Sequence, residues 1–402
     1  MPYTPSPEIL KKYADVLIKF ALWSGQGVKK GDVVFVTISE SARPFVPHLQ
    51  RSILEAGAHI MLNYQPDGLS LSRQFFEIAT PEQIDFVPKD YLLERIKLAT
   101  HIVGIISEAD KHELEGIDGK KIMRRGELMK FYMDARREKE DAGKHTWTLA
   151  LFGTPAMAKE VNMSEEDYWG EIIKACYLDE ADPIKKWQEL FVQIEGTKDK
   201  LNALPIESVH VEGKDADLHV KLGKDRRWLG GSGRNIPSFE LFISPDWRGT
   251  NGWIRFSEPL YRYGNLIEGV ELEFKDGLVV RSSAKKNEQI IKDMIAVKNA
   301  DKIGEFSLTD GRFSRITKFM GETLFDENVG GRFGNTHLAL GSAYRDSFVG
   351  NPKDVLEDKW TEMGFNDSSV HTDIVSTTDR KVTATLTDGT KKVIYQDGKF
   401  TV

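Results

Sequence analysis

Residues 33–38 read Val-Val-Phe-Val-Thr-Ile, a continuous apolar run that follows the turn sequence Lys-Lys-Gly-Asp at 29–32. Similar short apolar runs recur at 60–62, 102–106 and 147–152, and helical patterns lie between them. Short strands that are apolar throughout and alternate with helices are typical of a parallel sheet covered on both faces. We therefore expect an α/β domain with a Rossmann-like sheet over residues 1–204.

The pattern changes near residue 205. Residues 216–222 alternate between polar and apolar side chains, as a half-buried strand does. Asp-Gly pairs at 276–277, 388–389 and 397–398 indicate hairpin turns, and a helix is predicted at about 287–297. We expect residues 205–402 to form a mainly antiparallel α+β domain. Two domains also suit the length of 402 residues, which exceeds what one core usually serves.

Composition restricts the class of protein. Hydrophobic residues make up 40% of the chain, and no apolar run approaches the ~20 residues that span a bilayer. Residues 1–5 lack the pattern of a secretion signal, so we expect a cytoplasmic protein that does not bind membranes. The net charge is −7 and the basic clusters are interrupted by acids, which argues against nucleic acid as a partner. The single cysteine, Cys176, excludes an internal disulfide and a cysteine-rich zinc site.

A histidine and an aspartate lie two residues apart in a predicted strand. Residues 368–375 are rich in β-branched side chains, and the strand period of two places His371 and Asp373 on one face. An imidazole beside a carboxylate suits a divalent ion such as zinc, cobalt or manganese. Taken alone, the pair is more typical of a solvated strand face.

A second group of polar residues surrounds a glycine-rich stretch. Glu327 lies in an acidic corner at 324–328, and glycines at 330, 331 and 334 let the backbone fold tightly before His337. Tyr344 follows seven residues later. His337 and Tyr344 share a face in a helix and oppose each other in a strand, and the sequence decides neither. The alternative is a surface loop that leads into a helix of small residues.

Two glutamates stand among apolar residues. Glu240 lies within Phe-Glu-Leu-Phe-Ile at 239–243, and Glu305 lies within Ile-Gly-Glu-Phe at 303–306. A buried carboxylate is costly unless it is paired or binds a metal. On pattern alone, the simpler interpretation is that each glutamate faces water from a half-exposed strand.

Other catalytic signatures are missing. The sequence contains no Gly-X-Ser-X-Gly, no His-Glu-X-X-His and no Walker loop, and no dinucleotide fingerprint follows the first strand. We find no acidic partner at useful spacing for the remaining histidines, which are His48, His59, His101, His112, His145, His210 and His219.

Several motifs occur together in one order, and through them the chain resembles the aminopeptidase T / aminopeptidase S family of thermophilic-type, leucyl aminopeptidase-like metallo-aminopeptidases. The resemblance covers nearly the whole length and is most specific in the second half. The motifs lie at residues 10–14, 28–34, 168–187, 235–237, 267–270, 303–305, 324–328, 337–344 and 371–373.

The resemblance implies a dimeric exopeptidase that removes N-terminal residues from peptides through water activated by two divalent metal ions. The ions are zinc, cobalt or manganese, with magnesium as a further option. The family's metal ligands fall on Glu240, Glu305, Glu327, His337, His371 and Asp373. Its catalytic tyrosine falls on Tyr344, and either Glu305 or Glu327 serves as the general base.

The chain departs from the family at two places. Ser238-Phe239 stands where many members have Asp-Gly, so we expect Phe239 to reshape the pocket wall. The link from Glu327 to His337 is longer and includes Arg332 and Phe333, which leaves the geometry of Glu327 and the residue preference open. Two alternatives to the peptidase remain: a metal-dependent hydrolase of another amide, and a non-catalytic protein that binds a small ligand at the carboxyl ends of the parallel strands.

Overall fold

The computed structural model describes residues 3–231 and 233–402. Met1 and Pro2, part of the segment on which the expected localisation rests, lie outside this range. Within the described residues, no helix combines the length and the apolar character that crossing a membrane requires.

The first half alternates strands and helices. The strands are β1 Val33–Ser39, β2 His59–Gln65, β3 His101–Ile106 and β4 Thr146–Leu151. The helices are α1 Pro7–Val16, α2 Val46–Glu55, α3 Leu71–Ile78, α4 Pro81–Asp85, α5 Lys89–Leu98, α6 Gly119–Leu128, α7 Lys130–Asp141, α8 Pro155–Glu160, α9 Glu165–Ala175 and α10 Pro183–Asn202.

The second half is rich in strands. They are β5 Ile206–Gly213, β6 Ala216–Lys221, β7 Leu229–Gly230, β8 Asn235–Ile236, β9 Glu240–Ile243, β10 Asn251–Arg255, β11 Leu260–Arg262, β12 Asn265–Ile267, β13 Glu271–Lys275, β14 Leu278–Ser283, β15 Ile303–Thr309, β16 Asn335–Gly341, β17 His371–Ser376, β18 Lys381–Leu386, β19 Lys391–Gln396 and β20 Lys399–Phe400. The helices are α11 Glu288–Ile295, α12 Thr323–Asp326 and α13 Glu357–Glu362.

The first sheet is parallel, with strand order β2-β1-β3-β4-β8. Successive side chains of β1 point to opposite faces: Val34 and Val36 belong to the main core with α1 and α2, whereas Phe35 packs in a second cluster with Ile96 of α5. Both faces are therefore covered, which explains why the strand sequence is apolar throughout. The predicted parallel α/β sheet is confirmed.

The largest sheet is antiparallel and has the order β14-β13-β10-β6-β5-β18-β19-β20. Each of the three Asp-Gly pairs joins two of its strands, as predicted. At the first of these turns Asp276 and Gly277 have φ values of 50° and 85°, which suits the type I′ hairpin. The predicted helix at 287–297 is present but shorter. The mainly antiparallel character of the second half is confirmed.

A third sheet, with order β17-β16-β15-β9-β7, is also antiparallel and forms the floor of the cleft described below. The boundary between residues 204 and 205 stays a prediction. One strand from beyond it, β8, pairs in parallel with β4 and so connects residues 235–236 to the first sheet.

Phe239 lies in the core and not in the pocket wall. Its ring is fully buried and stacks on Trp187 of α10 with a centroid separation of 5.5 Å. Tyr177 packs against the same ring edge-on. The expectation that Phe239 reshapes the pocket is therefore wrong, because the side chain points away from the cleft into the packing between α10 and the third sheet.

We expect Phe239→Ala to lower the free energy of unfolding by about 3–5 kcal/mol, because it removes a fully buried ring and leaves a cavity beside Trp187. Denaturant unfolding monitored by tryptophan fluorescence measures the change. The matched control is Phe86→Ala, whose parent side chain is 69% exposed, with an expected change within about 0.5 kcal/mol. Equal effects of the two substitutions would contradict the packing described here.

Candidate metal centre

Strand register brings five of the six predicted ligands to one face of the third sheet. Glu240 lies opposite Thr309 and His337 lies opposite Ser307. Asp373 lies opposite Ala339, and His371 lies opposite Gly341. Because side chains two residues apart share a face, these four residues and Glu305 project from the same surface. The opposite face carries apolar side chains such as Phe306 and Leu338, which are buried in the main core.

The environment of His337 settles the choice that the sequence left open. His337 lies in strand β16, and this strand ends at Gly341, three residues before Tyr344. Tyr344 itself has extended backbone and precedes a short 3₁₀ turn at Arg345–Ser347. The alternative of a surface loop leading into a helix is wrong, because β16 is buried along its whole length between β15 and β17.

The imidazoles and carboxylates lie within reach of one another. Nε2 of His337 is 3.1 Å from Oε2 of Glu240, 3.3 Å from Oε1 of Glu305 and 4.0 Å from Oδ1 of Asp373. Nε2 of His371 is 3.5 Å from Oε2 of Glu305 and 3.6 Å from Oδ1 of Asp373. Glu305 therefore contacts both histidines, one with each of its oxygens.

Glu327 reaches the same cluster from a loop at the end of α12. Its Oε1 accepts a hydrogen bond of 2.9 Å from the side-chain amide of Asn235. The side chain of Asn335 donates to the backbone carbonyls of Glu327 and Val329, at 2.7 and 2.9 Å. Glu327, His337 and Asp373 offer ligand atoms within 4.8 Å of one another. The longer loop thus leaves Glu327 beside the other candidate ligands.

The cluster is largely shielded from water. The exposed fraction is 6% or less for Glu240, Glu305, Glu327 and His337. The simpler interpretation of Glu240 and Glu305, that each faces water from a half-exposed strand, is therefore wrong. The apolar runs around both glutamates do form strands, but residues of both halves, among them Trp147 and Tyr344, line the cleft over this face.

The buried charges shift one another's pKa values. Burial raises the pKa of Glu240, and it raises the pKa of Glu327 well above its usual range, with the charge of Glu240 adding to the effect. Burial would also raise the pKa of Glu305, but hydrogen bonds from His337 and His371 lower it to about 2. Burial opposes the charged form of His371, yet Asp373 and Glu305 raise its pKa to about 9. Glu240 and Glu305 likewise raise the pKa of His337 against the effect of burial.

The donor set fits divalent metal ions. Nitrogen and carboxylate oxygen donors converge from five chain segments, and the negative charge of the carboxylates needs compensation at this burial. Nδ1 of His371 lies 2.8 Å from the carbonyl oxygen of Ser342 and donates to it, which leaves Nε2 free to bind a metal. The residues present therefore suit zinc, cobalt or manganese.

The cluster lies in a cleft of about 430 Å³ between the first and third sheets. Trp147, Leu149 and Phe242 form an apolar part of its lining. Tyr344 also lines it, held by a hydrogen bond of 2.8 Å from its backbone N–H to Oγ of Ser244. Burial raises the pKa of Tyr344 well above 10, and the charge of Glu305 acts in the same direction, so the phenol keeps its proton.

Cleft residues that the sequence did not identify come from both halves of the chain. Lys111 pairs with Glu108 and, at 3.2 Å, with Glu322. Arg262 lies on the β11–β12 hairpin beside the cluster, and Asn235 orients Glu327. Neither spacing nor periodicity signals these residues, because each depends on which loops the fold brings together.

Three of the seven other histidines do have acidic partners, contrary to the sequence analysis. Nε2 of His101 is 2.8 Å from Asp32, and Nε2 of His112 is 3.0 Å from Glu160. His210 lies 2.7 Å from Asp217 and stacks on His219 across strands β5 and β6, at the exposed surface. Spacing along the chain does not reveal these pairs, because they form between separate elements or across strands. Glu115, however, lies only three residues after His112 and is 3.3 Å from its Nδ1, so this partner was within reach of a spacing argument.

Comparisons with known proteins find similar proteins over nearly the whole chain. A family model described as thermophilic metalloprotease (M29) matches residues 6–400. The chain is 28% identical to aminopeptidase AmpS of Bacillus subtilis, covering 97% of this chain and 98% of that protein. It is 27% identical to aminopeptidase T of Thermus thermophilus, covering 98% and 100%. The solved structure of wild-type AmpT from Thermus thermophilus superposes with a TM-score of 0.82 at 26% identity, covering 98% of this chain and 99% of that one.

Metal binding is expected to release protons and to tighten as pH rises. The raised pKa values of His337 and His371 keep both imidazoles protonated at pH 7 without a metal, and each must lose its proton to bind one. Calorimetric titration with Zn²⁺ at pH 7 in two buffers of different ionisation enthalpy counts the protons released. The affinity should be weaker at pH 6 than at pH 8. An affinity that is the same at both pH values would exclude these histidines as ligands.

Proposed function

This chain belongs to the thermophilic metalloprotease (M29) family and is a metallo-aminopeptidase that acts on peptides, and we propose that it does so with two divalent ions held side by side in the cleft. The observation that carries the proposal is the position of Glu305. It belongs to one group with Glu240 and His337 and to another with His371 and Asp373. A carboxylate shared in this way would help to hold both ions, which would be zinc, cobalt or manganese, or else magnesium.

All six predicted residues act as ligands in this proposal: Glu240, Glu305, Glu327, His337, His371 and Asp373. When bound, two such ions lower the pKa of a water molecule and polarise the scissile carbonyl. Glu305 belongs to both ligand groups and would help to hold both ions, so its two oxygens would be occupied in the loaded site.

Glu327 is therefore the better candidate for the general base. Its Oε1 accepts from Asn235, and no described residue donates a hydrogen bond to its Oε2. Burial raises the pKa of Glu327, and the charge of Glu240 acts in the same direction, so this carboxyl has the increased proton affinity that suits a group that takes a proton from water and returns it to the leaving amine.

Tyr344 and the acidic residues supply the remaining parts of the mechanism. The protonated phenol of Tyr344 lines the cleft next to His371, with ring centroids 4.9 Å apart, and is placed to donate to the developing oxyanion. The carboxylates of the cluster attract the free α-ammonium group of a peptide. This attraction favours cleavage of the first peptide bond over cleavage within a chain.

The proposal also includes a cytoplasmic homodimer. The dimer rests on the family resemblance alone. The location is consistent with a single cysteine, Cys176, that is buried and unpaired. Light scattering of the purified protein measures the oligomeric state directly.

We expect purified protein to hold two ions per chain and to release leucine from leucyl 4-nitroanilide only when they are present. Elemental analysis is best made on a variant with His210→Ala and His219→Ala, because these two histidines and Asp217 form another group that offers ligands. Chelation should abolish turnover, and cobalt, zinc or manganese should restore it. His371→Ala should lose metal and turnover together, and retention of both would remove His371 from the site.

Tyr344→Phe is expected to lower kcat by roughly 10²–10³-fold, the range seen when one oxyanion donor is removed. Metal content should stay unchanged, because the phenol is not among the ligands. The control is Tyr91→Phe, whose parent side chain is 62% exposed and far from the cluster in sequence. An unchanged kcat would exclude the hydroxyl of Tyr344 from the mechanism.

A further inference from the structure

A hairpin of the second half holds Arg262 at the edge of the cluster of predicted metal ligands. Strands β11 and β12 pair through Tyr261 and Leu266 and are joined by a turn at residues 263–264, where both residues have positive φ. Gly264 packs so closely on Leu114 that an added Cβ would lie 2.7 Å from its backbone nitrogen. The hairpin is thus docked on the loop that follows β3, and this contact fixes the position of Arg262.

The guanidinium of Arg262 is only partly satisfied by the protein. Nη2 donates a hydrogen bond of 3.0 Å to the backbone carbonyl of His371, and the group lies over the ring of Tyr263 at 4.9 Å. Nε is buried and has no hydrogen-bond partner among the described residues. Among the described residues, no carboxylate oxygen lies within 4.0 Å of the guanidinium nitrogens of Arg262. Arg262 therefore forms no ion pair with any of them.

The other cations that line the cleft differ in this respect. Lys111 is paired with Glu108 and Glu322, and Arg234 is 2.7 Å from Asp346. Glu322 also acts on Arg262 at longer range, but its nearest cation is Lys111. Arg262 therefore keeps a permanent charge in a half-buried place without a carboxylate in contact.

An unpaired guanidinium beside the reacting centre is suited to an anionic part of the ligand. Arginine stays charged at any working pH and presents parallel N–H donors that match a carboxylate. Arg262 lines the cleft, so a carboxylate that arrives with the substrate would gain the charge-assisted hydrogen bonds that no carboxylate of the described residues makes with it. A peptide bound with its ammonium group among the acidic residues has such a carboxylate at its other end.

We propose that Arg262 binds the C-terminal α-carboxylate of dipeptides and tripeptides, so that the enzyme prefers short substrates with a free carboxyl end. This proposal rests on the proposed aminopeptidase function. It assigns the part of the cleft beside Arg262 to the portion of the substrate that leaves after cleavage. Arg262 contacts the backbone of His371, a predicted ligand. A residue spans at most about 3.3–3.6 Å, so a carboxylate one or two residues beyond the scissile bond stays near the cluster.

The test compares wild type and Arg262→Gln on leucyl-leucine, on leucyl-leucine amide and on leucyl 4-nitroanilide. In the wild type we expect the free acid to have the lower KM of the two dipeptides. In Arg262→Gln we expect KM for leucyl-leucine to rise about 10–100-fold with kcat little changed, the size of a lost hydrogen bond to a charged group. The amide and the anilide should keep their kcat/KM within about twofold, because neither carries a carboxylate.

Two further variants distinguish recognition of the substrate carboxylate by Arg262 from a purely structural contribution of Arg262 to the metal site. Arg262→Lys keeps the charge but not the paired donors, and should recover part of the preference for the free acid. Arg51→Gln, at a side chain that is 71% exposed, is the matched control and should change nothing. The metal content of each variant is measured as well, because Arg262 also contacts the backbone of His371.

The outcomes are distinct. The anilide reports the aminopeptidase function without Arg262, whereas only the acid–amide comparison reports the carboxylate site. Normal anilide turnover with equal KM values for the acid and the amide in the wild type would overturn the carboxylate site alone. Equal losses on all three substrates, with loss of metal, would make Arg262 a support of His371 and also overturn it. No turnover of any substrate by the metal-loaded wild type would overturn both proposals.

Discussion

Four carboxylates crowded into one buried space are the constraint on which the rest of this structure depends. Removing a carboxylate from water costs several kcal/mol even after relaxation, and like charges at contact distance add to that cost. Without metal ions, protons and the two imidazoles of the cluster offset part of the charge. Burial raises the pKa of Glu327, and Asp373 and Glu305 raise the pKa of His371. Protons and divalent cations therefore compete for the same positions, and the fold must hold those positions rigidly for the cations to prevail.

The third sheet provides this rigidity through strand alternation. The face of the sheet opposite the ligands belongs to the main core. Strands β9, β15 and β16 therefore cannot shift by one residue without moving Leu241, Phe306 and Leu338 out of the core. Ala339 and Gly341 lie on the same face of the sheet as His337, and their small size leaves room for the neighbouring ligand side chains. Gly341 has a φ of 105°, and an added Cβ would lie 2.0 Å from the carbonyl oxygen of Val370, so this position requires glycine.

The pairing of His371 with Asp373 followed from the sequence because it depends only on the period of a strand. The burial of Glu240 and Glu305 did not, because a glutamate among apolar residues has the same pattern whether water or another sheet covers its face. The metal-ligand role of Glu327 could be suggested only by family resemblance, since it lies in a loop. The pair His210–Asp217 needed the register of β5 and β6, which spacing along the chain does not reveal. The sequence thus predicted the strands and helices, whereas it did not predict the contacts between them.

The two halves contribute unequally to the cleft, and this makes the site a property of their contact. None of the six predicted ligands lies before residue 205. The first half nevertheless supplies Trp147, Leu149 and Lys111 to the cleft. Lys111 is 3% exposed at its side chain and reaches Glu322, which lies close in sequence to Glu327. A buried ion pair adds little net stability, but it strongly disfavours any arrangement that separates the partners. Together with the hydrogen bond from Asn235 to Glu327, this pair makes the position of Glu327 depend on the packing of the parallel sheet against the rest of the chain.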